Sequence, residues 1–208
     1  MLDADGWDLR YAARDRVFSV EPTPVVKELV SPLAPGRALD LAAGEGRHAV
    51  WLAQRGWRVT AVDFSRVGLD KAAVRAQELG VKLECVQANL YDHRPALDSF
   101  ELVLIAYMHP EPDQRAAVFG HAARALAPGG HLLVVGRDVA DLSAGYGPSD
   151  PDRRFTVDRL AAAVPASLEL ERCEQVIRER REPEGPRALI DTVAWARRPA
   201  PTSAALAS

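Results

Sequence analysis

Arg37-Ala38-Leu39-Asp40-Leu41-Ala42-Ala43-Gly44-Glu45-Gly46-Arg47 runs from a short apolar segment, through two glycines, into a helical pattern. The turn residues Ala34-Pro35-Gly36 bound it upstream, so residues 37–41 read as a buried strand. Residues 47–55 read as a helix with Val50, Leu52 and Ala53 on its apolar side, closed by Gly56. The same alternation continues downstream. Residues 58–63 are a β-branched strand, 65–79 a helix closed by Gly80, and 82–87 a third strand. Phe100–Tyr107 is almost wholly apolar and therefore a strand buried on both faces, residues 114–126 are helical, and Pro128-Gly129-Gly130 turns the chain into a fifth strand at 131–136. Strands separated by helices of this length imply right-handed crossovers and an α/β fold, a mainly parallel sheet with helices on both faces. Such a sheet binds its ligand beyond the carboxyl ends of its strands, where the strand order reverses.

The pattern changes after Asp138. Residues 144–151 form a Gly/Pro-rich loop, and Thr156 is a candidate N-cap with Phe155 and Leu160 spaced for a hydrophobic staple. Residues 168–181 and 187–197 read as two strands around Pro183-Glu184-Gly185-Pro186, an antiparallel C-terminal hairpin added to the sheet. Residues 1–198 are expected to form one domain, with 1–36 a helical cap region and 199–208 a disordered tail of small residues.

The chain has 208 residues, 48% of them hydrophobic, enough for a sizeable core in one domain. Its net charge of −3 gives no basic footprint for nucleic acid. The longest apolar run, Leu102–Met108, is far short of a membrane span, and the acidic start Asp3-Ala4-Asp5 does not resemble a secretory signal. Cys85 and Cys173 form no framework or metal-type spacing, which fits a reducing, cytoplasmic setting. The five histidines show no paired ligand spacing, so no metal is expected.

The chemistry concentrates at the strand exits. Gly44 and Gly46 let a ligand approach backbone N–H groups at a helix N-terminus, although a tight turn alone would use the same two residues. Asp40 places negative charge where a pyrophosphate would lie and so favours a cation, while Asp63, at the end of the second strand, suits the two hydroxyls of a ribose. Gly44 to Ala49 also fits the dinucleotide pattern G-x-G-x-x-A, which keeps an NAD(P)-dependent oxidoreductase as the rival reading. The carboxylate four positions before Gly44 argues against it.

With Asp40, Ala42, Gly44 and Gly46 set as acidic-x-Gly-x-Gly-x-Gly with one glycine replaced, and Leu126-Ala127-Pro128-Gly129-Gly130-His131-Leu132-Leu133 before the fifth strand, the sequence resembles the class I S-adenosylmethionine (SAM)-dependent methyltransferases. Trp7-Asp8-Leu9-Arg10-Tyr11 is similar to the opening segment of the small-molecule branch that includes tellurite-resistance and thiopurine-type enzymes. The resemblance implies the Rossmann-like class I methyltransferase fold and SAM as cofactor, released as S-adenosylhomocysteine (SAH). It implies that Asp63 holds the ribose, that Phe64 and Ser65 lie along the adenosine, and that Ala88, Asn89 and Leu90 meet the adenine, with the Asn89 amide oxygen accepting from its amine. It further places Arg10 and Tyr11 on a cap over the cofactor, or as surface packing, and Arg47 and Ala106 in the cofactor site.

Ala106-Tyr107-Met108-His109-Pro110 leaves the fourth strand toward the methyl donor, making His109 and Tyr107 the catalytic candidates. His109 is either a general base or, with Tyr107, pocket wall, because displacement at a sulfonium needs alignment more than proton transfer. The segment is not Asn-Pro-Pro-Tyr, and neither cysteine lies there. The implied partner is a small-molecule acceptor. A SAM-binding protein without turnover and a methyltransferase acting on protein remain alternatives, as both would keep Asp40 and Asp63.

Overall fold

The computed structural model describes residues 3–182 and 185–201. The expected turn at Pro183-Glu184 and residues 202–208 of the expected tail lie outside them.

Two helices, α1 (Ala4–Ala12) and α2 (Pro24–Val30), precede a single seven-stranded sheet. Asp3 caps α1 through its side chain, and Pro24 begins α2 at a position where the missing N–H has no helical partner to lose. Then follow β1 (Arg37–Leu41), α3 (Arg47–Gln54), β2 (Arg58–Asp63), α4 (Arg66–Glu78), β3 (Glu84–Gln87), β4 (Phe100–Ala106), α5 (Arg115–Ala125) and β5 (Leu126–Arg137). A short 3-10 segment (Val139–Ala144), α6 (Val157–Ala163), β6 (Glu169–Glu182) and β7 (Gly185–Arg197) complete the described chain. The strand order is β3-β2-β1-β4-β5-β7-β6, parallel through β5 and antiparallel at β7 and β6. This is the mixed α/β architecture expected, hairpin included.

Alternation along the central strands separates two cores. Leu39 and Leu41 of β1 and Val103 and Ile105 of β4 face α5 and α6, where they meet Val118, Phe119 and Leu160. Ala38 of β1 and Leu102 and Leu104 of β4 face the other side, against Val26 of α2, Leu52 of α3 and Leu69 of α4. Both faces are covered, so the buried positions of β1 and β4 are apolar except one: Asp40, next to the last residue of β1. The staple at α6 forms as expected, with Thr156 accepting from the Arg159 N–H at 3.1 Å and Phe155 and Leu160 fully buried.

Two boundaries differ from the sequence reading. β3 begins at Glu84, two residues late, since exposed residues before it have no partner on β2. β5 begins at Leu126 and absorbs the Pro-Gly-Gly turn. Leu126 pairs with Phe100 before the register shifts, and Gly130 lies so close to β4 that an added Cβ would come within 2.9 Å of the Phe100 carbonyl.

The sheet reverses its order between β1 and β4. The carboxyl ends of β1, β2 and β4 therefore open into one crevice.

Candidate active site

The crevice has a floor built by the glycine turn. Ala42, Gly44 and Gly46 all adopt positive φ (63°, 53° and 74°), which bends the chain from β1 into α3. For Ala42 this is the left-handed region that disfavours a Cβ, and it stands where the resembled pattern has glycine. A side chain on Gly44 would come within 2.6 Å of the Tyr11 hydroxyl, and one on Gly46 within 2.6 Å of the Ala72 Cβ, so the turn is gripped from both sides.

Asp63 fixes that turn. Its Oδ2 accepts from the Gly44 N–H and its Oδ1 from the Ser65 N–H, each at 2.8 Å. Each oxygen keeps one lone pair for a ligand. Ser65 caps α4, its Oγ accepting from the Gly68 N–H at 3.0 Å and donating to Asp8 of α1. Phe64 is half-buried beside it.

Asp40 is the anomaly. It is 1% exposed, and neither carboxylate oxygen makes a well-formed hydrogen bond, although the Ala49 N–H lies near enough to favour its charge. Burial pushes its pKa up to about 7; the Arg47 guanidinium pulls the other way, and the nearby Asp63 charge adds to the rise. A buried, unsatisfied carboxylate at a ligand crevice is an acceptor aimed at a missing cation.

The N-terminal segment closes one side. Tyr11 is buried over Gly44 and Gly68 and packs with Trp7 and Phe18 at centroid distances of 5.4 and 6.4 Å. Lys71 of α4 fastens the segment, donating to the carbonyls of Tyr11 (2.6 Å), Arg14 and Asp15 (3.0 Å). Buried Glu45 accepts from the N–H groups of Val17 and Phe18 at 3.0 and 3.1 Å. Arg10 is exposed at the rim, stacked on Trp7 at 4.9 Å. His48, buried and neutral, sits at 3.1 Å from the Thr23 hydroxyl and ties α3 to the start of α2; burial holds its pKa well below 6.5.

The opposite side is built by the exit of β4 and by the hairpin. Ala106 is buried, and Tyr107 follows it with φ 62°, a strained conformation for a bulky residue. The Tyr107 hydroxyl donates to Asp191 Oδ2 at 2.7 Å. Asp191, 1% exposed on β7, also accepts from Arg178 Nε at 2.6 Å and from Arg137 at 3.0 Å. The loop after β5 is held from beneath by fully buried Arg154, which donates to the carbonyls of Pro148 (2.8 Å), Tyr146 (2.5 Å) and Asp138 (3.2 Å).

Two readings meet contrary geometry. His109 is not placed as a general base: its Nε2 already accepts from the Arg137 N–H at 2.8 Å, its ring stacks on Phe155, and burial with Arg154 and Arg153 nearby lowers its pKa to about 3. Leu90 sends its side chain into the core with Val62 and Phe119, so only its backbone faces the adenine end. The amide oxygen of Asn89 accepts from the Tyr91 N–H at 3.1 Å and keeps a second lone pair, while Ala88 packs against the core and its N–H binds the Asp63 carbonyl at 2.9 Å.

The structure therefore gathers Tyr11, Asp40, Ala42, Gly44, Gly46, Arg47, Asp63, Ser65, Ala106 and Tyr107 around one crevice and leaves Arg10, Asn89 and Leu90 at its margins. Sequence reading missed Asp191, Lys71 and Glu45. Asp191 had a visible signal, a lone acid within the apolar run Leu189-Ile190-Asp191-Thr192-Val193. Among the described residues no cluster of His, Cys, Asp or Glu has the arrangement of a metal site, and no helix is long and apolar enough to cross a membrane. A depression of about 650 Å³ among Arg37, Trp57 and Phe100 opens at the opposite, amino ends of the strands, away from this crevice.

Comparison with known proteins agrees with this geometry. Residues 38–130 match a family profile described as a methyltransferase domain. The ubiquinone biosynthesis O-methyltransferase of Vibrio cholerae is 30% identical over 109 residues, 52% of this chain and 44% of that protein. The chain thus spans less than half the length of the curated relatives it matches. A protein solved in work on conversion of a disulfide bond into a thioacetal group during echinomycin biosynthesis superposes with a TM-score of 0.78 at 20% identity, covering 97% of this chain and 95% of that one. TehB from Haemophilus influenzae superposes with a TM-score of 0.72 at 14% identity, covering 94% and 66%. At such identities these two likenesses concern the fold.

Proposed function

We propose that this chain, whose residues 38–130 match a methyltransferase-domain profile and whose fold superposes on the structures named above, carries out SAM-dependent methyl transfer to a small-molecule nucleophile. The observation that carries this reading is Asp40. A buried acid without a well-formed hydrogen bond beside a glycine turn suits a ligand with a cationic amino-acid end, and it repels the pyrophosphate of a nicotinamide dinucleotide.

The residues present fit SAM. Asp40 faces its cationic end, and the Gly44 turn leaves room for the backbone to approach it. The free lone pairs of Asp63 suit the ribose hydroxyls, Phe64 and Ser65 flank the adenosine, and the backbone at Ala88–Leu90 borders the adenine. Tyr11 and Arg10 belong to the cap, and Ala106 and Tyr107 face the methyl group. When bound, SAM supplies a methyl group on an already activated leaving group.

The chain's own work is then alignment and exclusion of water. Tyr107 is held rigid by Asp191 and forms the wall along which an acceptor lies. No side chain at the β4 exit is free to take a proton, because the His109 nitrogen is already engaged, so the acceptor must arrive as a competent nucleophile or lose its proton to solvent. The fastened cap, with Trp7, Tyr11 and Phe18 packed together, narrows the mouth and supports a small acceptor over a macromolecule. In this reading residues 1–198 act as one domain.

Calorimetric titration with SAH and with NADH tests the cofactor assignment directly: SAH binds and NADH does not. Asp63→Ala should weaken SAH by one or two charged hydrogen bonds, each worth about 1.5–3 kcal/mol. Unchanged SAH affinity in that variant would remove the ribose assignment, and NADH binding would replace the whole reading. Screening nucleophiles with labelled SAM separates a small-molecule enzyme from a SAM-binding protein and from one acting on protein.

A further inference from the structure

Three guanidinium groups converge on the wall that faces the methyl-donor site. Arg47 lies 4.7 Å and Arg178 lies 5.6 Å from the centroid of the same Tyr107 ring. Arg137 reaches the same carboxylate as Arg178, that of Asp191. Asp191 is thus occupied twice over, and Asp141 lies 3.0 Å from the other end of Arg137. Arg47 makes no direct ion pair among the described contacts; its guanidinium lies over the Phe18 and Tyr107 rings, with the Asp40 and Asp191 charges acting on it from farther off. Arg47 and Arg178 thus bring two like charges to one ring, while Asp141 and Asp191 are engaged by Arg137 and Arg178 and only the more distant Asp40 is left to offset Arg47. Burial and the Arg178 charge both press on Arg47, lowering its pKa. A half-buried cation held over an aromatic ring with no carboxylate in direct contact marks a place where an anion can dock.

We propose that the methyl acceptor is itself an anion, and that a carboxylate or phosphate group on it docks between Arg47 and Arg178 against Tyr107. This rests on the methyl-transfer reading and names its substrate class. The planar fork of a guanidinium matches either oxyanion, and Tyr107 offers a flat surface for the carbon skeleton carrying it. Because Tyr107 follows β4 directly, a group anchored there holds the rest of the acceptor at the mouth of the donor site. The resemblance assigns Arg47 to the cofactor, whose own carboxylate is the competing occupant.

The test titrates SAH-saturated protein with benzoate, with phenyl phosphate and with neutral benzamide. At least one of the two anions should bind tenfold or more tightly than benzamide, and its affinity should fall as salt rises. Arg178→Gln, at the arm of the dock that has no place in the cofactor site, should abolish that preference while SAH affinity stays within twofold, and Arg178→Lys should restore part of it. Equal response to all three compounds, or none to any, overturns the anionic acceptor. So does an Arg47→Gln protein that loses tenfold in SAH affinity but still distinguishes anion from amide, since Arg47 then holds the cofactor's carboxylate. Failure of the wild-type protein to bind SAH is a separate result, which brings down the methyl-transfer reading itself.

Discussion

Asp40 and Asp191 are equally buried acids at the same edge of the same sheet, and they are opposites. Asp191 accepts from Tyr107, Arg137 and Arg178, whereas Asp40 makes no well-formed hydrogen bond and has only the nearby Ala49 N–H and the Arg47 charge to favour it. A saturated carboxylate is part of the framework; an orphaned one is a standing cost that a ligand relieves. The donor side of the crevice is therefore left unfinished, while the acceptor side is rigid before anything arrives.

The sharpest way to break this contrast is Asp191→Ala. It strands half-buried Arg178, leaves buried Arg137 with Asp141 alone, and should cost about 3 kcal/mol in urea unfolding. Asp40→Asn should do the reverse. Removing an unpartnered buried charge is expected to stabilise the ligand-free protein by about 2 kcal/mol at pH 8, while SAH affinity falls. If Asp40→Asn destabilises instead, the acid has a partner and the contrast fails.

Titration sharpens the comparison further. Asp40, raised from 3.8 to about 7, keeps in the native state a proton the unfolded chain has lost, so its contribution falls as pH rises between those values. His109, lowered from 6.5 to about 3, refuses a proton the unfolded chain takes up, so its contribution is full above pH 6.5 and lost as pH falls toward 3. The two slopes, each at most about 1.4 kcal/mol per pH unit, oppose one another over nearly the same range. Unfolding measured from pH 4 to 7 should show stability rising more steeply with pH in Asp40→Asn than in wild type, and less steeply in His109→Gln. The smallest effect is expected at Ala42. Glycine there should relieve its positive φ and stabilise by about 1 kcal/mol in thermal unfolding.

Much of this fold was readable along the chain because its punctuation is local. Gly36, Gly56 and Gly80 bracket the first strands and helices, and β1 and β2 end where the sequence places them. Asp40 and Asp63 were legible for the same reason, standing at strand ends before turns. What could not be read depends on partners far away. The fate of the His109 nitrogen is decided by the backbone of Arg137, and that of Leu90 by a core assembled from β2 and α5. Lys71 looks like any surface lysine until the carbonyls of Tyr11, Arg14 and Asp15 turn toward it.

The threading of β7 between β5 and β6 has a consequence for how the molecule is born. β6 is translated first but has no seat until β7 exists, and Tyr107 waits 84 residues for its hydroxyl acceptor. As synthesis proceeds, the donor half can take shape from nascent residues up to the end of β4, with the acceptor wall last to set. On the proposed reading, a newborn chain would thus complete the cofactor's side of the crevice before the wall assigned to the acceptor.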